Sequence, residues 1–424
     1  MKPVNYKPII GLEVHVELRT LSKMFCSCCA DHFLVKPNTH TCPVCLGLPG
    51  ALPVPNKKAI DWCILIGLAL NCEIQNTAKF DRKNYFYPDL AKGYQISQYD
   101  QPFCRNGFIN VDNRKIRINR VHMEEDTGKL IHKGDNTLID FNRSGVPLVE
   151  IVTEPDFDSD TTAVDYLKKI QQIVRYLGVS DCDMEKGSMR LEVNISLSSD
   201  KKLPEYKVEV KNINSFKFVA KAIDYEINRQ TEILNTGKLP AQETRGFSEK
   251  MAKTFSQRSK EEAHDYRYFP EPDIPPFTNL KIIVQKLKSQ LPEMPDQKIN
   301  RFIKEYNVSE YNAKILVNDK KLADYFEKTA KTNEIANLIV NKKIDINSLA
   351  PQKILEKVQS KIDKTKLEAV VKTVLSQNLK AVSDYKNGKL QVIGFLIGQV
   401  MKALKGQADP EEIGQLIRKL VVFK

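Results

Sequence analysis

The chain has 424 residues, of which 42% are hydrophobic and 28% charged, and its formal net charge at pH 7 is +12. These proportions are typical of globular proteins and exclude a largely disordered chain, and the length predicts two to three domains. The longest apolar run, at 62–70, is far shorter than the roughly 20 residues of a membrane-spanning helix. The first residues lack the apolar centre of a signal peptide. We therefore expect no membrane partner and a cytoplasmic location, or an organellar one if a transit peptide has been removed.

An alternating pattern at 8–18 predicts the first β-strand. Leu12, Val14 and Val16 would point to one side of this strand, and Glu13 and His15 to the other. We therefore predict a strand with one buried face and one polar face.

A cluster of cysteines follows between residues 26 and 45. Two close pairs separated by a short loop can place four thiolates around a tetrahedral Zn²⁺. The four ligands that we choose are Cys26, Cys28, Cys42 and Cys45. Cys29 could replace Cys28, and His32 or His40 could compete. We predict a closed, structural zinc knuckle, with unliganded thiols as the alternative.

Further strands and helices continue the pattern. Alternation recurs at 115–119, 190–197 and 207–211, and helical periodicity at about 57–71, 161–178 and 216–236. Several half-polar strands favour a largely antiparallel sheet whose second face is a polar working surface. We predict an α+β fold class, with residues 1–280 forming one large domain.

The C-terminal third differs in structure and in charge. Four prolines in 268–276 predict an extended linker that closes the large domain, followed by a helical domain at 281–363 and an all-α tail at 364–424. Residues 277–424 hold 27 basic and 16 acidic side chains, a net of +11, whereas residues 1–276 have a net of +1. The excess of lysine favours contacts with nucleic-acid phosphates, although a solvated lysine-rich surface would have the same composition.

Acidic side chains on the predicted polar faces carry the main chemical signal, because the sequence has no P-loop, dinucleotide-binding or nucleophile-elbow motif. Carboxylates on one sheet face repel one another, and a cation would resolve the conflict. Oxygen ligands with one imidazole suit Mg²⁺ or Mn²⁺. The candidate metal ligands are Glu13, His15, Glu124, Glu125, Glu150 and Glu192. The alternative is that each acid is solvated or ion-paired.

Basic and polar side chains near these acids could complete a metal-phosphate site. Arg190 alternates onto the same face as Glu192, as a triphosphate flanked by metals would require. The candidate cofactor-binding residues are Arg82, Lys83, Ser188, Arg190, Lys211 and Asn212.

Several long motifs resemble one protein family, the GatB subunits of the glutamyl-/aspartyl-tRNA amidotransferase (the GatCAB enzyme). They include GLEVHVEL at 11–18, FDRKNYFYPD at 80–89, HMEEDTGK at 122–129 and AHDYRYFPEPDIPP at 263–276. The resemblance extends from about residue 8 to about residue 420.

The resemblance implies a fold and an activity. The large domain would be a cradle related to glutamine synthetase, and the tail would be similar to the YqeY family. The cradle would use ATP and Mg²⁺ to phosphorylate the side-chain carboxylate of Glu-tRNA(Gln) or Asp-tRNA(Asn). Ammonia from a partner amidase (GatA), which acts with a small third protein (GatC) in a heterotrimer, would then displace the phosphate. The helical and tail domains would bind the tRNA.

The family's metal-binding acids match the six metal candidates above, and its zinc site matches the four chosen cysteines. We expect catalysis to depend on Glu125, Glu150, Arg190 and Glu192. The region between about 341 and 364 looks shorter than in typical members of the family. One alternative is a zinc-containing RNA-binding translation factor without catalysis, and another is a ligase that acts on a small acid.

Overall fold

The computed structural model describes residues 6–200, 202–259, 266–354, 364–404, 408 and 410–421. The chain divides into two compact units, Met1–Gln297 and Lys298–Lys424. The strands of the first unit are β1 Lys7–Glu17, β2 Glu73–Ile74, β3 Asp81–Asn84, β4 Tyr94–Ser97, β5 Cys104–Val111, β6 Arg114–Glu125, β7 Lys129–Lys133, β8 Asn136–Asp140, β9 Pro147–Thr153, β10 Met189–Ser198, β11 Val208–Ile213, β12 Glu243–Ser248, β13 Lys253–Ser259 and β14 Phe269–Pro270. Its first helices are α1 Lys57–Ala69, α2 Asp160–Leu177, α3 Phe216–Asn235 and α4 Leu280–Lys288.

Within the described residues, nine strands form one sheet in the order β13-β12-β11-β10-β1-β9-β6-β5-β2. Neighbouring strands are antiparallel except for β11 and β12, which run parallel, so the sheet is mixed rather than purely antiparallel. Helices α1, α2 and α3 all pack on the same face of this sheet, and none of the three covers the opposite face. The α+β class predicted from the sequence is confirmed.

Strand β1 lies at the centre of this sheet and separates its two faces. Leu12, Val14 and Val16 are at most 1% exposed and belong to the core under the helices. Glu13 and His15 point to the opposite face because successive side chains of a strand alternate. The alternation predicted at 8–18 is therefore confirmed, and so are the predicted strands at 115–119, 190–197 and 207–211.

The three core helices begin and end close to the predicted positions, and their caps explain why. Asn56, Ser159 and Ser215 accept hydrogen bonds from backbone amides of the first turns of α1, α2 and α3. Gly178 ends α2 in the left-handed conformation, with φ +70°, that an L side chain rarely adopts. Helical periodicity was thus sufficient to locate these three helices.

The proline-rich segment 268–276, predicted as an extended linker that closes the large domain, is bound to the first unit by backbone and side-chain contacts. Strand β14 pairs with β3, and the buried carboxylate of Glu271 binds the guanidinium of Arg82 at 2.7 and 2.9 Å. Proline lacks an amide donor but is tolerated on an edge strand, which is where β14 lies in its three-stranded sheet. The segment is therefore a fixed part of the first unit.

The second unit is helical throughout the part that the structure describes. Its helices are α5 Pro295–Tyr306, which starts in the first unit, α6 Glu310–Asn318, α7 Lys320–Glu327, α8 Asn333–Val340, α9 Lys364–Gln377, α10 Leu379–Lys386, α11 Val392–Ala403 and α12 Pro410–Leu420. Helices α9 to α12 enclose a hydrophobic core of their own that runs from Leu367 to Val421. Among the described residues, no helix is both long and apolar enough to span a bilayer.

Candidate active site

The first acid group lies on the open face of the nine-stranded sheet, where three strands bring His15, Glu124 and Glu150 together. The Nε2 atom of His15 is 3.8 Å from Oε2 of Glu124 and 3.8 Å from Oε2 of Glu150. An octahedral Mg²⁺ with bonds of about 2.1 Å separates its ligands by roughly 3.0 to 4.2 Å. The spacing and the donor types of this group therefore fit a hard divalent cation.

Donors contact both carboxylate oxygens of Glu124, and Oε2, which faces His15, accepts from Nε2 of Gln95 at 3.3 Å. Ser97 donates to Oε1 at 2.7 Å, and Nζ of Lys83 lies 3.9 Å from the same oxygen. Burial alone would raise the pKa of Glu124, but Lys83 and His122 outweigh it and hold the pKa at about 2. Glu124 is therefore ionised at any physiological pH.

Glu150 and His15 are in the protonation states that a cation requires. Burial opposes ionisation of Glu150, but His122 and His15 offset it and bring its pKa well below the usual range. Burial lowers the pKa of His15 more strongly than the neighbouring carboxylates raise it. A neutral imidazole and an ionised carboxylate are the metal-binding forms of these side chains.

A second acid group lies beside the first and consists of Glu13, Glu192 and Glu209, whose ligand oxygens lie within 4.8 Å of one another. Burial and the neighbouring carboxylates raise the pKa of Glu13 to about 7, and burial raises the pKa of Glu192 to about 6. Lys211 is 3.0 Å from Glu192 and 3.4 Å from Glu209. One ammonium thus faces three carboxylates, which leaves this group short of positive charge.

An unpaired polar atom marks the second group as a place where a ligand fits. Asn194 donates to Oε1 of Glu13 at 2.8 Å. Its Oδ1 atom is buried and has no hydrogen-bond partner within the described part of the chain. A buried acceptor without a donor is costly, and a hard cation or its water would satisfy it. Mg²⁺ prefers oxygen ligands, and this group offers three carboxylates and an amide oxygen.

Arg190 lies next to the first group because it pairs with His15 across β10 and β1. Its guanidinium binds Asp126 at 3.2 and 2.6 Å, and its side chain remains 34% exposed. Burial alone would raise the pKa of Asp126, but Arg190, and to a smaller extent Arg143, lower it. Asp126 thus holds the guanidinium in place, and the Arg190 side chain remains partly exposed beside the first group.

Glu125 and Arg82, both predicted site residues, lie apart from the two acid groups. Glu125 follows Glu124 in β6 and points to the other side, where it accepts from Lys92 at 2.5 Å and from the amide of Ile96 at 2.9 Å. Arg82 is held by Glu271 in the ion pair that anchors the proline-rich segment.

Two smaller candidates are also not brought into either group. Ser188 accepts from the amide of Asp183 at 2.8 Å and shapes the turn before β10. Asn212 is exposed and has a positive φ of 61° near the end of β11. Of the cofactor-binding candidates, Lys83, Arg190 and Lys211 are the ones that contact or flank the acid groups.

Four residues of the site were not among the site residues predicted from the sequence: His122, Asp126, Asn194 and Glu209. His122 and Glu209 lie on the polar faces of their strands, so the alternation rule could have found both. Asp126 follows the end of β6, where periodicity carries no information. Its role depends on the long-range pairing with Arg190.

The predicted knuckle cysteines come together, with the sulfur atoms of Cys26, Cys28, Cys42 and Cys45 within 4.8 Å of one another. The Cys42 and Cys45 sulfurs are 3.9 Å apart, close to the roughly 3.8 Å edge of a zinc tetrathiolate with 2.3 Å bonds. Cys29 is exposed and lies outside this group.

The competing histidines have other partners. His32 contacts Glu17 at 3.0 Å, and Nδ1 of His40 contacts the carbonyl of Asp31 at 2.8 Å.

A hydrogen bond from Cys26 lowers the pKa of Cys45 to about 4, which makes Cys45 a thiolate. The set therefore fits a structural Zn²⁺ held by four sulfurs.

Comparison with known proteins identifies the family. Residues 8–285 match the family model described as the GatB/GatE catalytic domain, and residues 286–421 match the one described as the GatB domain. The GatB subunit of the aspartyl/glutamyl-tRNA(Asn/Gln) amidotransferase from Persephonella marina is 47% identical, over 99% of this chain and all of the relative. The chain belongs to the GatB family. Proteins of the same description from Carboxydothermus hydrogenoformans and Thermotoga maritima are each 44% identical over 98–99% of both chains.

The GatB catalytic model covers both acid groups and the knuckle, from Glu13 to Glu209. The family resemblance seen in the sequence is therefore confirmed. The alignment with the Persephonella protein has 475 positions against the 424 residues here, so at least 51 gap positions fall within this chain.

Proposed function

We propose that this protein is the ATP-dependent subunit of an aspartyl/glutamyl-tRNA amidotransferase. It phosphorylates the side-chain carboxylate of Glu-tRNA(Gln), Asp-tRNA(Asn) or both and converts it to the amide with ammonia from a partner protein. The observation that carries the proposal is the pair of acid groups on one sheet face, flanked by Lys83, Arg190 and Lys211.

Two steps balance the chemistry. A carboxylate oxygen attacks the γ-phosphorus of ATP, and an acyl phosphate and ADP form. Ammonia then attacks the acyl carbon, the bond to the phosphate oxygen breaks, and the nitrogen loses a proton to the departing phosphate, so that the amide and hydrogen phosphate are released. The first step is needed because a free carboxylate has no leaving group that ammonia could displace.

The residues of this chain have distinct tasks in these steps. His15, Glu124 and Glu150 would hold one Mg²⁺, and Glu13, Glu192 and Glu209 a second. Bound Mg²⁺ supplies charge neutralisation for phosphoryl transfer. Arg190 and Lys211 orient phosphate oxygens, since each is partly exposed beside an acid group. Glu125 would contribute to catalysis from the opposite side of β6, where its carboxylate accepts a hydrogen bond from Lys92.

The remaining parts of the chain serve binding and stability. The basic residues after 277 would hold the tRNA body, divided between a helical domain at 281–363 and a YqeY-like tail at 364–424. The cradle at 1–280 would share its ancestry with glutamine synthetase, and the knuckle would carry Zn²⁺. Partners would be the GatA amidase and the small GatC protein of a GatCAB heterotrimer, in the cytoplasm.

An amidation assay tests the proposal. The chain is co-expressed with candidate amidase and small partner proteins and supplied with Glu-tRNA or Asp-tRNA, ATP, Mg²⁺ and either glutamine or ammonia. Amide should form on the tRNA in an ATP-dependent manner. Glu150→Gln should lower the rate by about 10²- to 10³-fold. Glu185→Gln, a change at an exposed acid outside both groups, should leave it unchanged. A soluble complex that binds tRNA but makes no amide from free ammonia would instead support the RNA-binding alternative.

A further inference from the structure

His122 is a buried side chain of the acid face that belongs to neither set of candidate cation ligands. It lies on β6 directly opposite Glu150 on β9 and is 1% exposed. Its Nε2 atom is 3.1 Å from Oε2 of Glu150 and 3.6 Å from Oε1 of Glu124. The ring therefore touches both carboxylates of the first acid group from the side away from His15.

The two carboxylates differ in how much other support they have. Ser97 and Gln95 donate hydrogen bonds to Glu124. Among the described residues, the hydrogen-bonding and ion-pairing partners of the Glu150 carboxylate are the two histidines, His15 and His122. If His15 is a cation ligand, its Nε2 lone pair is directed at the cation, and His122 alone remains to hold Glu150.

The neighbour on the other side of the His122 ring indicates which ring nitrogen carries a hydrogen. Nε of Arg120 approaches Nδ1 of His122 at 3.4 Å. A guanidinium can only donate, so in the neutral ring Nδ1 is the acceptor and the hydrogen lies on Nε2, and in the protonated ring Nε2 carries a hydrogen as well. His122 is then a donor aimed at Glu150. It is not a free nitrogen that could itself bind a cation.

We propose that His122 is the positioning residue that holds Glu150 in the orientation needed to bind a divalent cation together with His15 and Glu124. A carboxylate oxygen has two acceptor directions, so Glu150 can receive the His122 hydrogen and still bind the cation. The inference rests on the cation site of the proposed function, but not on ATP or tRNA. Loss of such a supporting hydrogen bond typically weakens metal binding by about 10- to 100-fold.

Titration of the full-length chain with Mn²⁺, after the knuckle has been loaded with Zn²⁺, tests this role without any turnover. Electron paramagnetic resonance of free Mn²⁺ gives the number of sites and their affinities. His122→Leu should weaken one Mn²⁺ site by about 10- to 100-fold and leave the other unchanged. His122→Gln places an amide donor near the position of Nε2 and should stay within a few-fold of the parent protein.

Two further variants make the result specific. His132→Leu removes an exposed histidine of the β7–β8 hairpin that contacts Thr137, and it should change neither site. Glu150→Gln should weaken the same Mn²⁺ site as His122→Leu, and adding His122→Leu to it should produce little further loss. Circular dichroism spectra and melting temperatures check that each variant is folded.

Three results would overturn the inference. One is parental affinity at both sites in folded His122→Leu. Another is equal loss in His122→Gln and His122→Leu with a further additive loss on top of Glu150→Gln, since that is the behaviour of a direct ligand. The third is absence of Mn²⁺ binding to the parent chain. A chain that binds Mn²⁺ as expected but fails to amidate tRNA would refute the proposed function and leave this inference intact.

Discussion

The two acid groups share one strand and one sheet face, yet their charges are balanced differently. In the first group, Lys83 and His122 lower the pKa of Glu124 to about 2 and His122 lowers that of Glu150, despite burial. In the second group, burial and neighbouring acids raise the pKa of Glu13 to about 7. The carboxylates of the first group are thus ionised before any cation arrives, whereas the raised pKa of Glu13 leaves the second group partly protonated near neutral pH.

This difference indicates separate tasks for the groups. A preformed anionic site with an imidazole ligand holds a cation with little rearrangement, because its carboxylates are already ionised and held by donors. A site short of positive charge binds a cation in exchange for protons, or when a lysine moves away. We expect the first group to hold its cation without nucleotide and the second to respond to what binds at Lys211.

The largest effects should come from removing one ligand of each group. Glu150→Gln and Glu192→Gln should each lower the amidation rate by about 10²- to 10³-fold, since each removes charge compensation for phosphoryl transfer. Mn²⁺ titration should show that each change weakens a different site. Loss of both sites in either variant would mean that the two groups act as one, and the comparison would fail.

Replacing Lys211, the lysine of the second group, should have opposite effects on turnover and on metal binding. Lys211 competes with a metal ion for Glu192 and Glu209. Lys211→Met should therefore strengthen Mn²⁺ binding at the second group by about tenfold, while amidation falls by about 10²-fold because a phosphate contact is lost.

The matched control is Lys207→Met, at an exposed lysine just before β11, which should change neither measurement. Calorimetry with Mn²⁺ gives the affinities, and the amidation assay gives the rates. Weaker Mn²⁺ binding in Lys211→Met would show that Lys211 supports the cation rather than competing with it.

The sequence predicted the parts of this site that depend on strand periodicity. Alternation placed Glu13, His15 and Glu192 on one face, and the register of β1 with β10 then brought Glu13 opposite Glu192. Periodicity also implies that Glu124 and Glu125 point to opposite sides, yet both were predicted as Mg²⁺ ligands. The structure places Glu125 with Lys92 instead.

Other features depend on contacts between distant segments, which no local pattern encodes. Arg82 and Glu271 are 189 positions apart, and their ion pair both anchors the proline-rich segment and occupies a residue predicted to bind a cofactor. Asp126 and Arg190 are 64 positions apart. In contrast, the knuckle was predictable because its four cysteines lie within 20 residues and metal geometry restricts their spacing.

Glu226, a buried acid outside both groups, provides a reference in which neighbouring side chains fully compensate the carboxylate charge. Glu226 on α3 is 0% exposed, and Arg229, Arg245, Gln230 and Thr254 surround its carboxylate on the helical side of the sheet. Glu226→Gln should lower the free energy of unfolding by about 1–3 kcal/mol, because Arg229 and Arg245 lose the buried carboxylate and keep Glu243 as their shared partner. Mn²⁺ binding at both acid groups should be unchanged.

The pH dependence of this effect has a defined sign. Burial opposes ionisation of Glu226, but Arg229 and Thr254 outweigh it and lower its pKa in the folded state. The stabilisation is therefore fully present above the ordinary carboxyl pKa and is lost as the pH falls through the lowered value. Urea unfolding at neutral and acidic pH should show the Gln variant and the parent protein converging in stability on acidification. A difference that stays constant or grows at low pH would mean that packing at Glu226, rather than its charge, supports the sheet.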